Sequence, residues 1–245
     1  MKDTYVQKTV IPSSLVNYKE EMRFDTLLHM FQNIAIFHSK EMGVSFEEML
    51  ENSNAFWVLT KIKVYVEQMP KWNELATFST YPTDILTYRF MREYLVEGEE
   101  GAKVYAHSEW CAIDAENGSI RRSNTIKYPF ELNRRTDNLP LSPFNRYYCD
   151  TSLTNKVFSY TIRLTDIDVN KHTNNVTYAR LALNAFTIDE WESYDFKNFE
   201  IKFVNQSYYG DTIDVFKKVL EDNSVYICGF IGEKTIFSVL LSNVK

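Results

Sequence analysis

The feature that most constrains the fold is an order of elements that occurs twice along the chain. Apolar residues recur at helical spacing over residues 25–42 and again over 176–191, and several strand-like segments follow each stretch. A further alternating segment precedes each helix, at 4–11 and at 156–164. The two helices begin about 150 residues apart, so the sequence predicts an internal repeat of one α+β architecture.

The segments that follow each helix alternate apolar and polar residues and end at turn-forming residues, which is typical of antiparallel strands. They cover 56–66, 74–81, 87–96 and 103–113 in the first half, and 199–209, 212–220, 225–230 and 235–241 in the second. We therefore expect each half to be an antiparallel sheet wrapped around a long buried helix. Aromatic residues make up 15% of the chain, and a space lined by them between helix and sheet would suit a long apolar ligand.

Residues 123–155 differ from both halves because they contain three prolines and mixed charges without a clear period. Such a stretch is typical of a crossing linker. The sequence thus predicts an N-terminal unit over 1–122, a linker over 123–155 and a C-terminal unit over 156–245.

Charge and cysteine content exclude several classes of protein. The formal net charge of −6 argues against a nucleic-acid partner, which would require a basic surface. Cys111, Cys149 and Cys228 lie far apart and form no C-x-x-C pair, which indicates free thiols, no metal site and a reducing compartment. No apolar stretch reaches membrane-spanning length, and the first residues lack the apolar run of a signal peptide. We therefore expect a cytoplasmic protein.

The strongest candidate for chemistry is the polar segment 165–178, which directly precedes the second helix. Its residues Asp168, Asn170 and His172 are spaced two apart and provide a carboxylate, an amide and an imidazole, the groups needed for acid–base work on a carbonyl. A capped turn before a helix would also use Asp and Asn. The chain contains no G-x-S-x-G, P-loop, G-x-G-x-x-G or H-E-x-x-H motif, so we predict neither a cofactor nor a metal.

The same segment carries a resemblance to a known family. Residues 166–178 read DIDVNKHTNNVTY, which is similar to the pattern D-x-D-x-N-x-H-x-N-N-x-x-Y in the catalytic segment of plant and bacterial acyl-ACP thioesterases. Other stretches of the chain resemble that family in the right order, and they are Phe56–Thr60, Val66-Glu67, Pro70–Trp72, Trp110, Ile113-Asp114 and Arg121-Arg122. The resemblance covers nearly the whole chain and implies a tandem hotdog fold, with the acyl pocket in the N-terminal unit and the catalytic loop 165–178 in the C-terminal unit.

The activity that the resemblance implies is hydrolysis of the thioester between a fatty acyl chain and acyl carrier protein. The family's catalytic positions fall on Asp168, Asn170 and His172. We expect Asp168 to act as base or nucleophile, Asn170 to orient it or the water, and His172 to polarise the carbonyl or protonate the thiolate. At the position where the family usually has a glutamate, this chain has Gln206, whose amide cannot accept a proton at neutral pH.

The resemblance also implies residues that bind the two parts of the substrate. For the acyl chain the candidates are Trp57, Leu28, Phe31 and Ile34. For the acidic carrier protein the candidates are Arg121, Arg122, Arg134 and Arg135, and more weakly Lys217 and Lys218. Core packing and solvated surface charge are the competing interpretations of these two sets.

Three alternatives stay open from the sequence. A hotdog thioesterase could act on acyl-CoA, a protein of this fold could bind the acyl chain without turnover, and a hotdog dehydratase also pairs a histidine with a carboxylate. The two-apart spacing of the loop residues counts against the dehydratase. The sequence does not decide whether the chain forms a homodimer.

Overall fold

In a computed structural model the described residues, 3–129, 139–145 and 155–243, belong to two compact units, Met1–Leu141 (unit 1) and Ser142–Lys245 (unit 2). Among these residues no helix is both long and apolar enough to cross a membrane. The predicted bounds of the linker stay a prediction, because much of 123–155 lies outside the described part of the chain.

Unit 1 is a five-stranded antiparallel sheet with two helices. Its elements, in chain order, are β1 (Tyr5–Val10), α1 (Phe24–Glu41), α2 (Phe46–Ser53), β2 (Ala55–Gln68), β3 (Leu75–Ile85), β4 (Phe90–Gly98) and β5 (Lys103–Asp114). The strands are arranged in the order β1-β3-β4-β5-β2.

Unit 2 repeats this arrangement with shorter helices. Its elements are β6 (Asn155–Thr161), α3 (Asn175–Leu183), α4 (Ile188–Glu192), β7 (Asn198–Phe203), β8 (Thr212–Val219), β9 (Val225–Ile231) and β10 (Lys234–Ser242). The strands are arranged in the order β7-β10-β9-β8-β6, again all antiparallel. The predicted repeat of an α+β architecture is therefore confirmed.

Helix α1 lies within a residue of its predicted bounds because its apolar face is broad. Leu28, Phe31 and Ile34 are 4%, 0% and 0% exposed, and the helix packs against β3 and β1. The ring of Phe31 lies 4.7 Å from that of Tyr94 on β4. Burial of these side chains, worth roughly 1.5–3 kcal/mol each, holds the helix on the sheet.

The second helix differs from the prediction of a single helix over 176–191. The chain leaves the helical path at Asn184 and begins α4 with Thr187 as its N-cap, where the side chains of Thr187 and Glu190 form a reciprocal capping box. Because such a box satisfies the N–H groups that open a new helix, it starts one here instead of continuing the old one. Sequence periodicity also missed α2, which begins with an equivalent box between Ser45 and Glu48.

The cysteine prediction is correct at one described position and wrong at another. Cys111 on β5 is a buried free thiol, and burial raises its pKa. Cys228 on β9 is disulfide-bonded instead of free. Cys149 lies outside the described residues.

Candidate active site

The polar segment of unit 2 forms a closed loop between a short 3-10 turn, Leu164–Asp166, and helix α3. Three backbone hydrogen bonds close it: Asp168 N–H to His172 O (2.8 Å), Lys171 N–H to Asp168 O (3.0 Å) and Asn174 N–H to Asp166 O (2.8 Å). Lys171 has a φ of 62°, a left-handed conformation that lets the chain reverse within so few residues. We call residues 166–174 the unit 2 loop.

The carboxylate of Asp168 stabilises the loop from inside. Its Oδ1 accepts hydrogen bonds from the backbone N–H groups of Asn170 (2.8 Å) and His172 (3.2 Å). Among the described residues Oδ2 accepts no hydrogen bond. One oxygen of Asp168 therefore fixes the turn, while the other is available for a ligand or water.

The three predicted catalytic side chains lie together on the five-residue turn 168–172. Asp168 and His172 are half-buried, and Asn170 is exposed. The imidazole of His172 contacts the ring of Tyr208 edge-on, with 5.3 Å between ring centroids.

The segment between β7 and β8, residues 204–211, carries the predicted Gln206. This side chain is exposed, and its Oε1 lies 3.5 Å from the hydroxyl of Tyr208. Gln206 is thus connected to His172 through the tyrosine that lies between them.

A cluster of three buried hydroxyl groups joins this segment to the unit 2 loop. Tyr178 Oη lies 2.9 Å from Ser207 Oγ, which lies 2.7 Å from Thr173 Oγ1. Thr173 Oγ1 donates to Ser207 O (3.0 Å), and Ser207 N–H donates to Tyr178 Oη (3.2 Å). The three hydroxyl protons are all used if Tyr178 donates to Ser207 Oγ, Ser207 donates to Thr173 Oγ1, and Thr173 donates to Ser207 O. Burial raises the pKa of Tyr178, so its hydroxyl keeps that proton at neutral pH.

Asp166 lies at the base of the loop and is completely buried. Its Oδ2 accepts from Tyr160 Oη (2.9 Å) and Arg163 N–H (2.8 Å), while its Oδ1 lies 3.5 Å from the hydroxyl of Thr177 and pairs with Arg180. Burial, and then the bond to Asp166, raise the pKa of Tyr160.

Helix α3 begins immediately after the loop. Asn174 is its N-cap, and the side chain of Asn174 accepts from Val176 N–H (2.9 Å). The positive end of the helix therefore lies next to the turn that carries Asp168 and His172.

Unit 1 contains a loop of the same geometry before α1. Asn17 N–H donates to Glu21 O (2.8 Å), Glu20 N–H to Asn17 O (3.0 Å) and Arg23 N–H to Leu15 O (3.0 Å). The side-chain Oδ1 of Asn17 accepts from the N–H groups of Lys19 (2.8 Å) and Glu21 (3.1 Å). We call residues 15–23 the unit 1 loop; its Asn17, Lys19 and Glu21 stand where the unit 2 loop has Asp168, Asn170 and His172.

The predicted acyl-binding residues all lie in unit 1. Leu28, Phe31 and Ile34 are on the buried face of α1. Trp57 on β2 donates from its indole nitrogen to Val44 O (2.9 Å), and its ring lies 4.8 Å from that of Phe90. Their burial agrees equally with core packing and with the wall of an acyl pocket.

Two of the predicted docking arginines already have partners within unit 1. Arg121 pairs with Asp114 (3.0 Å) and donates to Ser53 O (3.1 Å), while Arg122 donates to the hydroxyl of Tyr88 and lies over its ring. Arg134 and Arg135 lie outside the described residues. In unit 2, Lys217 pairs with Glu190 and donates to Ala185 O.

The architecture defines the class of protein: two units, each of five antiparallel strands with two helices, form a tandem hotdog fold, as the sequence predicts. The chain belongs to the acyl-ACP thioesterase family, because residues 2–126 match the acyl-ACP thioesterase N-terminal domain and residues 151–235 match the C-terminal domain.

Individual relatives are distant in sequence. The chloroplastic palmitoyl-acyl carrier protein thioesterase of Gossypium hirsutum is 24% identical over 218 residues, which cover 81% of this chain and 51% of the relative. Oleoyl-acyl carrier protein thioesterase 1 of Arabidopsis thaliana is 17% identical over 233 residues, which cover 86% of this chain and 62% of the relative. The chain therefore spans about half to three fifths of the length of these relatives.

Two solved structures share the fold over almost their whole length. An acyl-ACP thioesterase from Bacteroides thetaiotaomicron is 20% identical, with a TM-score of 0.89 and coverage of 98% of this chain and 97% of that one. The 12:0-ACP thioesterase from Umbellularia californica is 15% identical, with a TM-score of 0.85 and coverage of 99% and 97%.

Sequence reasoning missed the residues that hold the loop in place. Ser207 is central to the hydroxyl cluster, yet it is 29 residues from Tyr178 and 34 from Thr173. Nothing in local spacing joins these positions. The signal present in the sequence was a serine directly beside Gln206, in the polar segment that follows β7.

Proposed function

We propose that this chain hydrolyses the thioester of fatty acyl-ACP and releases a fatty acid and the carrier thiol. The observation that carries the proposal is the five-residue turn 168–172, which brings a carboxylate, an amide and an imidazole together at the surface of unit 2. The family to which the chain belongs supports the same substrate class.

The chemistry begins with water. Oδ2 of Asp168 accepts a proton from a water molecule, whose oxygen attacks the thioester carbonyl. When the C–S bond breaks, protonated His172 donates its proton to the leaving thiolate, and the proton held by Asp168 returns to His172 through solvent. Direct attack by Asp168 on the carbonyl is the second route open to the same carboxylate.

The other groups orient the reactants. Asn170 donates from its amide to the attacking water or to the developing oxyanion, which also lies in the field of the positive end of α3. Tyr208 keeps the imidazole of His172 in one orientation by ring contact. Gln206 places water near His172 through hydrogen bonds, since its amide takes no proton.

The residues that bind the carrier protein and the acyl chain belong to the same proposal. The acidic carrier docks on Arg121, Arg122, Arg134 and Arg135, and the acyl chain lies along Trp57, Leu28, Phe31 and Ile34. Nucleic acid is not a partner, because the net charge is −6.

Whether the chain forms a homodimer is tested by size-exclusion chromatography with light scattering.

We place the protein in the cytoplasm. The disulfide at Cys228 counts against a fully reducing environment. Thiol labelling of the protein from the cytoplasmic fraction therefore tests the placement in the cytoplasm.

The decisive experiment compares wild type with Asp168→Asn and His172→Ala on a panel of acyl-ACPs of graded chain length. We expect hydrolysis by wild type and a loss of about 10²–10⁴-fold in kcat for each variant, with folding checked by circular dichroism. Near wild-type turnover by either variant contradicts the assignment.

A second candidate function is binding of an acyl chain without turnover, and the amide at Gln206 is the observation that favours it. Single-turnover hydrolysis that is lost in Asp168→Asn excludes this candidate. Acyl-CoA substrates of the same chain lengths, measured in the same assay, distinguish hydrolysis of acyl-ACP from hydrolysis of acyl-CoA.

A further inference from the structure

Asp166 is a buried charged group that the proposed chemistry does not use. It is 0% exposed, and the two oxygens of its carboxylate contact donors from three parts of unit 2. These donors are Tyr160 on β6, the N–H of Arg163 before the loop, and Thr177 and Arg180 on α3. A fully buried carboxylate persists only when it is paired and hydrogen-bonded in this way.

The contacts of Asp166 tie the base of the unit 2 loop to its surroundings on both sides. Its side chain connects β6 with α3, and its backbone oxygen accepts from Asn174 N–H, the bond that closes the loop. Asp168 follows two residues later. Any shift of Asp166 therefore moves the turn that carries Asp168 and His172 relative to the start of α3.

The unit 1 loop shows that this carboxylate is not needed to close the backbone. There Leu15 stands at the position of Asp166, and its oxygen accepts from Arg23 N–H as that of Asp166 accepts from Asn174 N–H. The position that corresponds to Arg180 is His29, which is exposed. The same turn thus forms without the pair of Asp166 and Arg180. In unit 1 Arg23 pairs with Asp25 and donates to Val16 O instead, so the backbone bonds that close the loop do not require Asp166.

We propose that Asp166 is a positioning residue for the reaction: through Arg180, Thr177 and Tyr160 it holds the unit 2 loop at a fixed place against α3. This inference rests on the proposed function. Displacement of reacting groups by about 1 Å can cost about 10²-fold in rate, so a link of this kind affects kcat far more than substrate binding.

The test measures kcat and KM for Asp166→Asn, Arg180→Gln, Arg180→Lys and the double variant Asp166→Asn/Arg180→Gln. Asp214→Asn is the matched control, because Asp214 also accepts from a lysine and a hydroxyl in unit 2, Lys156 and Ser159, away from the loop.

We expect kcat to fall about 10- to 100-fold for Asp166→Asn and Arg180→Gln with KM almost unchanged. Arg180→Lys should recover part of the loss, and the double variant should lose no more than the larger single loss.

A second measurement does not depend on turnover. Hydrogen exchange of the Asn170 and His172 amides, which donate to Asp168, should become faster in Asp166→Asn and in Arg180→Gln but not in Asp214→Asn. Arg180 is 42% exposed, so its variants keep the test decisive if Asp166→Asn fails to fold.

The proposal is overturned if folded Asp166→Asn or Arg180→Gln keeps wild-type kcat and wild-type exchange at these amides. It is also overturned if the loss of activity equals the loss of folded protein. Absence of hydrolysis in wild type, or full activity of Asp168→Asn, contradicts the proposed function instead, and the exchange measurement then still decides the role of Asp166.

Discussion

The unit 1 loop and the unit 2 loop have the same backbone conformation, but different side chains surround them. Each follows a 3-10 turn and reverses at a residue with a φ of 62°. In each, an isolated bridge joins the two sides of the loop, Val16 with Met22 or Ile167 with Thr173. In each loop an Asn or Asp side chain accepts from two backbone N–H groups. The loop is therefore a property of the hotdog backbone and one Asx residue, and it does not by itself indicate chemistry.

The difference lies in what surrounds the two loops. In unit 2, Thr173, Tyr178 and Ser207 form the hydroxyl cluster, and Asp166 lies buried at the base. The corresponding residues of unit 1 are apolar: Met22, Leu27, Pro70 and Leu15. The backbone bond between loop and neighbouring segment is nevertheless the same, Met22 N–H to Pro70 O (2.8 Å) and Thr173 N–H to Ser207 O (2.9 Å).

This contrast explains how one fold can separate stability from function. In unit 1 apolar residues take the place of the hydroxyl cluster, and the loop is held by Arg23, which donates to Val16 O, and by Thr26, which donates to Leu15 O. A satisfied polar network fixes directions as well as distances, since each hydrogen bond has a preferred geometry. Unit 2 has such a network around the turn where the proposed reaction needs fixed directions.

The largest expected effect comes from giving the unit 2 loop the residue of unit 1. Asp168→Asn reproduces Asn17, which stabilises the same turn, so the fold should be unchanged. Activity should fall about 10²–10⁴-fold because an amide accepts no proton. Steady-state kinetics and a thermal melt on the same sample measure both. A large loss of stability in this variant would break the equivalence of the two loops.

One histidine of unit 1 should make the stability of the fold depend on pH. His107 on β5 is half-buried, and loss of solvent and then Lys63 lower its pKa from 6.5 to about 4. Between these values the unfolded chain binds the proton that folded His107 does not, so stability is present above pH 6.5 and falls as the pH approaches 4. The loss should reach up to about 3 kcal/mol.

Urea unfolding of wild type and His107→Gln at several pH values tests this expectation. The slope of unfolding free energy against pH should be smaller in the variant. An equal slope in both proteins would assign the acid sensitivity to other residues.

The hydroxyl cluster can be converted to the apolar interior of unit 1. Tyr178→Phe alone should cost about 1–3 kcal/mol, since it leaves Ser207 N–H buried without an acceptor and removes one of the two hydroxyl partners of Ser207 Oγ. The triple variant Thr173→Val/Tyr178→Phe/Ser207→Ala should be destabilised by less than the sum of the three single variants, because no buried hydroxyl is left behind. Its kcat should nevertheless stay low. Full activity in the triple variant would show that the network has no role in positioning.

The smallest effect concerns the unit 1 loop. Asn17→Ala removes the acceptor of two N–H groups and should cost about 1 kcal/mol of stability. The kcat per folded molecule should be that of wild type, because no catalytic group of the proposal lies there. Chemical denaturation and active-site-normalised kinetics measure the two quantities, and a change in kcat would mean that both loops contribute to the reaction.

The sequence was sufficient for the repeat, the bounds of α1, most strands and the turn with Asp168, Asn170 and His172. Each of these depends on spacing within a few residues, which the period of a helix or strand makes visible. Where two local signals compete, as at Thr187 in the middle of an apolar pattern, spacing alone predicts the wrong helix length.

Only the tertiary structure decided what holds the candidate site together. Asp166 looks like another turn residue in the sequence, and Ser207 looks like a loop serine. Their roles arise because α3 and the segment after β7 come into contact with the loop, across separations of 14 and 34 residues. Burial converts these ordinary side chains into fixed ones, since a polar group without water must find its partners within the protein.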